Sequence, residues 1–132
     1  MDASFSEEKG VVILNRGKKI ILDYTETNEG NAYDTSNGIY TVKNDGEYDL
    51  YLRFTTSVKT VPFNLVIDDK VQDKEVWNTD ISSPDPARKG AFVHALLSNA
   101  IELKTGQRWW LTNKGKKTKY FDMYAVFRKF AE

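Results

Sequence analysis

The stretch GEYDLYLRF, residues 46–54, alternates between polar and apolar side chains more regularly than any other part of the chain. Successive residues of a β-strand point to opposite sides of a sheet. The apolar residues on one side of this stretch are Tyr48, Leu50, Leu52 and Phe54. The stretch therefore predicts a strand whose one face lies in a hydrophobic core.

The same period of two recurs in VPFNLVI, residues 61–67, which is followed by a turn signal at residues 68–70. Further strands are predicted at residues 19–24, 39–42, 108–112 and 120–127. Residues 91–97 are rich in Ala and Leu but short, so they are predicted as a strand or an irregular lead-in, and residues 82–86 as an extended surface loop. Turn signals recur about every 8 to 12 residues, which is typical of an all-β sandwich.

The length of 132 residues suits one domain, so residues 1–132 are expected to form a single unit. Lys plus Arg and Asp plus Glu both number 19, and the formal net charge is zero. A neutral chain lacks the positive field on which nucleic-acid binding depends. No stretch approaches the roughly 18 apolar residues of a membrane span, so neither nucleic acid nor membrane insertion is expected.

The residues that commonly perform catalysis are scarce, because the chain has no cysteine and its one histidine is His94. This composition excludes thiolate chemistry, cysteine-ligated metal and multi-histidine metal centres. Asp68 and Asp69 are adjacent in a turn, where carboxylates usually point apart and stay solvated, so glycosidic acid–base chemistry is disfavoured. The prediction is a protein that is not an enzyme, with His94 in a packing or surface role.

Several short blocks follow one another in a fixed order along the chain. They are Ile20, Leu22 and Asp23; Asn28, Gly30, Tyr33 and Asp34; Gly38, Tyr40 and Thr41; Gly46 and Tyr48; residues 65–70; and Leu103, Gly106, Trp110 and Leu111. In this order they resemble the globular head domain of complement C1q, one of the tumour-necrosis-factor-like jelly rolls. The resemblance implies an all-β, ten-stranded antiparallel sandwich of jelly-roll topology. Gln107 and Met123 depart from the family pattern, and residues 69–98 are longer than usual.

Apolar residues on both faces of the last strand suggest an interface. Phe121, Met123, Ala125 and Phe127 are predicted to share its core face, which places Tyr124 and Val126 on the other side. Tyr51 likewise points away from the core side of its own strand. By resemblance these strands belong to a sheet that packs around a threefold axis, so Tyr51, Tyr124 and Val126 are predicted to form a homotrimer interface. The alternative is that a loop of the same subunit covers Tyr124 and Val126.

Two features could bind a ligand. Lys114, Lys116, Lys117 and Lys119 form a local positive cluster that would suit anionic glycans or acidic proteins, or would simply be a solvated loop. Trp77 lies in the lengthened region and could stack on a sugar ring. Trp110 matches a core position of the resembled family, so at least part of the Trp109–Trp110 pair is expected to be buried.

No cofactor is expected, although calcium remains open because oxygen-rich turns occur in two places. These are Asp68, Asp69 and Asp73, and Glu29, Asn31 and Asp34. Neither set has the spacing of an EF-hand loop. Solvated turns without a metal are therefore the favoured interpretation.

The resemblance implies a secreted, extracellular recognition domain that forms homotrimers and binds surface glycans or proteins, microbial or self. The sequence itself begins without a basic segment followed by an apolar run, so no signal peptide is found there. Two other functions stay open. One is a monomeric carbohydrate-binding module of β-sandwich type, and the other is a structural or matrix protein whose role is trimerisation.

Overall fold

The structure, a computed structural model, describes residues 1–7 and 11–131. These residues form thirteen strands and two single-turn 3-10 helices, Glu29–Asn31 and Lys74–Val76. The strands in chain order are β1 (Asp2–Ser4), β2 (Val11–Leu14), β3 (Tyr24–Thr27), β4 (Tyr33–Asp34), β5 (Ile39–Thr41), β6 (Gly46–Thr56), β7 (Phe63–Ile67), β8 (Lys70–Val71), β9 (Trp77–Pro84), β10 (Phe92–Ser98), β11 (Ile101–Leu103), β12 (Arg108–Asn113) and β13 (Thr118–Ala131).

The strands pair antiparallel in two sheets. The eight-stranded sheet has the order β3-β1-β13-β6-β10-β9, with β11 also beside β6 and β2 beside β13; the five-stranded sheet has the order β4-β5-β12-β7-β8. The predicted all-β antiparallel jelly-roll sandwich is confirmed. The described residues contain thirteen strand segments, and the prediction was ten. The higher number includes very short segments at the sheet edges, such as β4 and β8, which are only two residues long.

The first and last strands are neighbours in the larger sheet. β1 lies between β3 and β13, and Ala3 is directly opposite Ala125. The backbone of Met1 both donates to and accepts from that of Phe127. Residues at the two ends of the sequence therefore complete the middle of one sheet.

The core lies between the two sheets and is formed by the alternation seen in the sequence. The most buried side chains from the larger sheet are Leu50, Leu52, Phe54, Leu96, Tyr120, Met123, Ala125 and Phe127, and those facing them include Phe63, Leu65, Trp109 and Leu111. Each fully buried aliphatic or aromatic side chain contributes about 1.5–3 kcal/mol through burial. The predicted core face of residues 46–54 is thus confirmed.

Residues of the resembled blocks hold the backbone between β3 and β5. The Asn28 side chain donates to the Tyr33 carbonyl and accepts from the Tyr33 N–H, at 2.8 and 2.9 Å. Gly38 has a φ of +76°, and a Cβ there would lie 2.8 Å from the Ile20 carbonyl oxygen. Glycine is therefore required at this turn for both its conformation and its small size.

The strand predicted at residues 19–24 is not formed as such. Lys19 makes a single bridge to Thr112, and regular pairing begins only at Tyr24. The Leu22 N–H donates instead to the Tyr33 hydroxyl, at 3.0 Å. A side-chain hydroxyl here replaces a strand partner, although the apolar side chains at 20 and 22 are buried as their pattern indicated.

A β-bulge changes which residues of the last strand face the core. Asp122 has a φ of +51°, and the pairing of β13 with β6 shifts between Phe121 and Tyr124. Tyr120 consequently points inward and is fully buried, while Phe121 pairs with Thr55 on the outward side. The prediction that Phe121 shares the core face with Met123 is therefore wrong, because period-two counting fails across a bulge.

The region between residues 77 and 98 forms a β-hairpin. β10 confirms the strand predicted at 91–97. The loop predicted at 82–86 is wrong for its first residues, because β9 extends through Pro84, which pairs with Phe92. Proline is tolerated there because β9 is an edge strand and needs no outward hydrogen bond.

His94 is completely buried and packs as a core residue. Its ring stacks on Phe54 with centroids 4.8 Å apart and an interplanar angle of 6°. Nδ1 lies 3.2 Å from an Asp80 carboxylate oxygen, and Nε2 lies 3.0 Å from the Val58 carbonyl oxygen. The imidazole thus joins β10 to β9 and to the loop before β7.

Two buried tyrosines make the fold sensitive to alkali. Burial raises the pKa of Tyr33 to about 12, against an ordinary value of 10.0, and burial also raises the pKa of Tyr120. The folded state therefore favours the neutral phenol, and this stabilisation is fully present below pH 10 and lost as pH rises through the folded-state pKa. We expect the free energy of unfolding to fall by about 2 kcal/mol or more between pH 10 and 12.

Urea unfolding at several pH values measures this loss. The Tyr33→Phe variant should show a smaller fall between pH 10 and 12, because one of the two buried phenols is gone. An identical fall in the variant and the parent would show that Tyr33 ionisation does not contribute.

Candidate functional site

The eight-stranded sheet has an outer face, the side turned away from the five-stranded sheet, and apolar residues run across it. One row of directly paired residues is Tyr24, Ser4, Tyr124, Arg53, Ala95 and Ile81. The next row is Asp2, Val126, Tyr51, Leu97 and Thr79. The first row crosses six strands and the second crosses five, and polar residues such as Arg53 and Asp2 lie between the apolar ones.

The three residues predicted for the trimer interface lie together on this outer face. Tyr51, Tyr124 and Val126 line a hollow of about 500 Å³ that also includes Leu97. The Tyr51 and Tyr124 rings meet edge to face, with centroids 6.1 Å apart and an interplanar angle of 76°. The structure therefore brings the predicted residues into contact, although it contains one copy of the chain.

Cover from the same subunit differs between the two residues of β13. Val126 is only 6% exposed, being flanked by Asp2 and Tyr51 in the sheet. Tyr124 is 41% exposed. Residues of adjacent strands thus shield Val126, whereas much of Tyr124 is in solvent.

Exposed apolar side chains concentrate on the outer face. Among the residues described, the large hydrophobic side chains that remain exposed are Val11, Ile13, Tyr24, Val71, Ile81 and Tyr124. All of these except Val71 lie on the outer face, because their strand partners do. The outer face is therefore the candidate interaction surface of this protein.

The lysines of residues 114–119 do not form one cluster. Lys114 reaches a groove on the edge of the sandwich, whereas the Lys119 ammonium lies over the Phe121 ring, 5.4 Å from its centroid, on the outer face. Lys116 and Lys117 are exposed. The positive charge is thus divided between two sides of the protein.

Trp77 and Lys114, two predicted ligand residues, line the same groove of about 440 Å³. Trp77 is partly exposed, while Trp109 and Trp110 are buried as predicted for at least part of that pair. Trp109 packs in the core, and Trp110 lies under the cations of Lys19 and Arg108 on the five-stranded sheet.

Asp68 and Asp34, one from each of the two oxygen-rich turns, accept hydrogen bonds from neighbouring backbone and side-chain groups. Asp68 accepts from the Arg108 N–H and the Gln107 amide, each at 3.0 Å. Asp34 accepts from the N–H and the hydroxyl of Ser36. These hydrogen bonds hold the pKa of both carboxyls below the usual value. Within the described part of the chain, no group of three or more acidic or histidine side chains is placed to hold a metal ion.

Comparison with known proteins identifies the family. The model of the C1q domain matches residues 4–131. The chain belongs to the C1q domain family. A structure of Eiger TNF from S. frugiperda is similar to this C1q domain, with a TM-score of 0.63 over 100% of this chain and 93% of that chain. The sequence identity is 16%, so this likeness shows the fold alone. Among curated proteins, no match to the chain was found.

Family membership places this C1q domain in a class with shared properties. Domains of the C1q and TNF-like class typically form trimers, are generally extracellular and are typically not enzymes. No helix in the described residues has the length and apolar character that a membrane crossing requires.

Three outer-face residues of the C1q domain were missed by sequence reasoning. Leu97 lies in a segment whose strand character was ambiguous, and Tyr24 was assigned to the end of an earlier strand. Ile81 directly precedes residues 82–86, which the sequence predicts as a loop, so its position in a strand is not apparent from the sequence. A single large apolar residue between Asp80 and Ser82 was the available signal.

Proposed function

We propose that this chain is a non-catalytic extracellular recognition domain that assembles as a homotrimer through the outer face of its eight-stranded sheet. The observation that carries the proposal is the concentration of exposed apolar side chains there, including Tyr24, Ile81 and Tyr124. Burying one such aromatic side chain contributes about 2 kcal/mol per subunit. Trimer formation in the C1q and TNF-like class supports the same assembly.

Trimerisation would increase the strength with which the domain binds its ligand. Three copies of one weak ligand site act at a high effective concentration on a surface that repeats the ligand. The proposed ligands are glycans or proteins at cell surfaces. A simpler function is trimerisation without ligand binding, as in a structural or matrix protein.

Sedimentation velocity of the purified domain at micromolar concentrations tests the assembly. We expect a single species at three times the chain mass of 15.1 kDa. A species at the chain mass across that range would contradict the trimer and would favour the monomeric carbohydrate-binding module.

A further inference from the structure

A groove opens at the edge of the sandwich where the two sheets no longer cover each other. β8 is only two residues long, so the five-stranded sheet ends before it can cover the inner side of β9. Asp80 is directly opposite Leu96 and therefore lies on that inner side. The resulting space of about 440 Å³ has the size of a site for a small ligand.

Trp77 gives this groove an aromatic wall in a fixed position. Its ring meets Phe63 edge to face, with centroids 6.0 Å apart and an interplanar angle of 82°. Phe63 is 1% exposed, so the contact anchors the indole to the core. The Trp77 N–H makes no hydrogen bond to the described residues and, unlike that of Trp109, is not a buried atom. It is therefore a donor open to a ligand.

Polar groups surround the aromatic wall. Asp80 and Gln72 both line the groove. Asp80 offers one carboxylate oxygen while the other lies 3.2 Å from His94 Nδ1. The Gln72 amide is held by the Lys70 carbonyl at 3.1 Å. Hydrogen-bond donors and acceptors thus lie beside the flat apolar ring of Trp77.

The charges of the groove disfavour an anionic ligand. Three carboxylates line it, from Asp73, Glu75 and Asp80, against the two ammonium groups of Lys74 and Lys114. The net charge of the groove is therefore minus one. Lys114 belongs to the basic segment that would suit anionic glycans, but in the groove its charge is outweighed by the carboxylates. The groove therefore suits a ligand that has an apolar face and polar groups at its rim and carries no negative charge.

We infer that this groove is a binding site for a neutral saccharide, whose ring stacks on Trp77 and whose hydroxyls bond to Asp80. A pyranose combines C–H groups on its faces with hydroxyls at its rim, which matches an aromatic wall flanked by polar side chains. The inference rests on the proposed recognition function and names its ligand class. It does not depend on trimerisation, because the groove is built by one subunit.

Titration of the domain with maltotriose, chitotriose and lactose, by calorimetry and tryptophan fluorescence, tests the inference. We expect at least one of them to bind, with a fluorescence change that comes from Trp77 and little dependence on salt. Trp77→Leu keeps apolar bulk against Phe63 and should weaken binding about tenfold. Asp80→Asn, which keeps one oxygen to contact His94, should weaken it several-fold.

Lys117→Ala is the matched control on the same basic segment, outside the groove, and should bind like the parent. Absence of binding by all three sugars at millimolar concentration would overturn the inference, as would equal affinity in the Trp77→Leu variant. Tighter binding of a heparin tetrasaccharide that weakens with salt would also overturn it. Sedimentation of the same samples separates the two proposals, because a sugar-binding monomer contradicts only the trimer, and a trimer without sugar binding contradicts only the groove.

Discussion

Asn113→Ala is expected to lower the free energy of unfolding by about 3 to 5 kcal/mol. Asn113 is completely buried, and its amide nitrogen donates to the carbonyls of Leu14, Asn15 and Lys116 at 3.1–3.3 Å. Its amide oxygen accepts a 2.6 Å hydrogen bond from the Tyr120 hydroxyl. Alanine would remove all four of these hydrogen bonds, each worth about 0.5–1.5 kcal/mol, and would take from the buried Tyr120 hydroxyl its 2.6 Å acceptor. Chemical denaturation followed by circular dichroism measures the change.

Tyr120→Phe is the matched control, because it removes only one end of the Asn113–Tyr120 hydrogen bond. We expect it to destabilise the fold by about 1–2 kcal/mol. The double variant should be less destabilised than the sum of the two single variants, since both remove the same bond. A loss below about 1 kcal/mol for Asn113→Ala would show that water or local relaxation replaces these hydrogen bonds.

Tyr124→Arg is expected to convert the trimer into monomers at micromolar concentration. Tyr124 is 41% exposed in the single subunit, edge to face with Tyr51 at the hollow on the outer face. Losing about 2 kcal/mol of burial in each of three subunits lowers the association constant roughly 10⁴-fold. Desolvating three guanidinium groups would weaken it further. Sedimentation velocity and equilibrium measure the shift.

Val71→Arg provides the control for this change. Val71 is 62% exposed but lies on the five-stranded sheet, so the same substitution there should leave the oligomeric state unchanged. Thermal unfolding of both variants checks that each subunit stays folded. A Tyr124→Arg protein that remains fully trimeric would place the interface elsewhere on the molecule.

Much of the fold could be predicted because its strands alternate in a simple way. Residues 46–54 became β6 with the expected residues in the core. Residues 108–112 became β12, in which Leu111 lies in the core but Trp110 does not. The predictions that were wrong have local structural causes that the alternation of polar and apolar residues does not reveal. The Tyr33 hydroxyl takes the place of a strand partner for Leu22, and the bulge at Asp122 reverses the faces of Tyr120 and Phe121.

The candidate site could be predicted only in part. Tyr51 and Tyr124 were found because each places an aromatic ring on the side of its strand opposite the core. The hollow they share depends on pairing between strands that are distant in sequence, and the amino-acid sequence alone does not specify this pairing. The same limit applies to the groove, since it exists because β8 is short and β9 continues past it.

The position of β1 between β3 and β13 constrains the order of folding. Met1 and Phe127 are bonded partners 126 positions apart, so this part of the sheet can close only after nearly the whole chain is available. Contacts of such long range are associated with slow folding, because loop closure precedes the gain from pairing. During synthesis the apolar residues of the early strands stay exposed until the strands that pair with them have been made. Apolar surface that is exposed until β13 is available favours aggregation during folding.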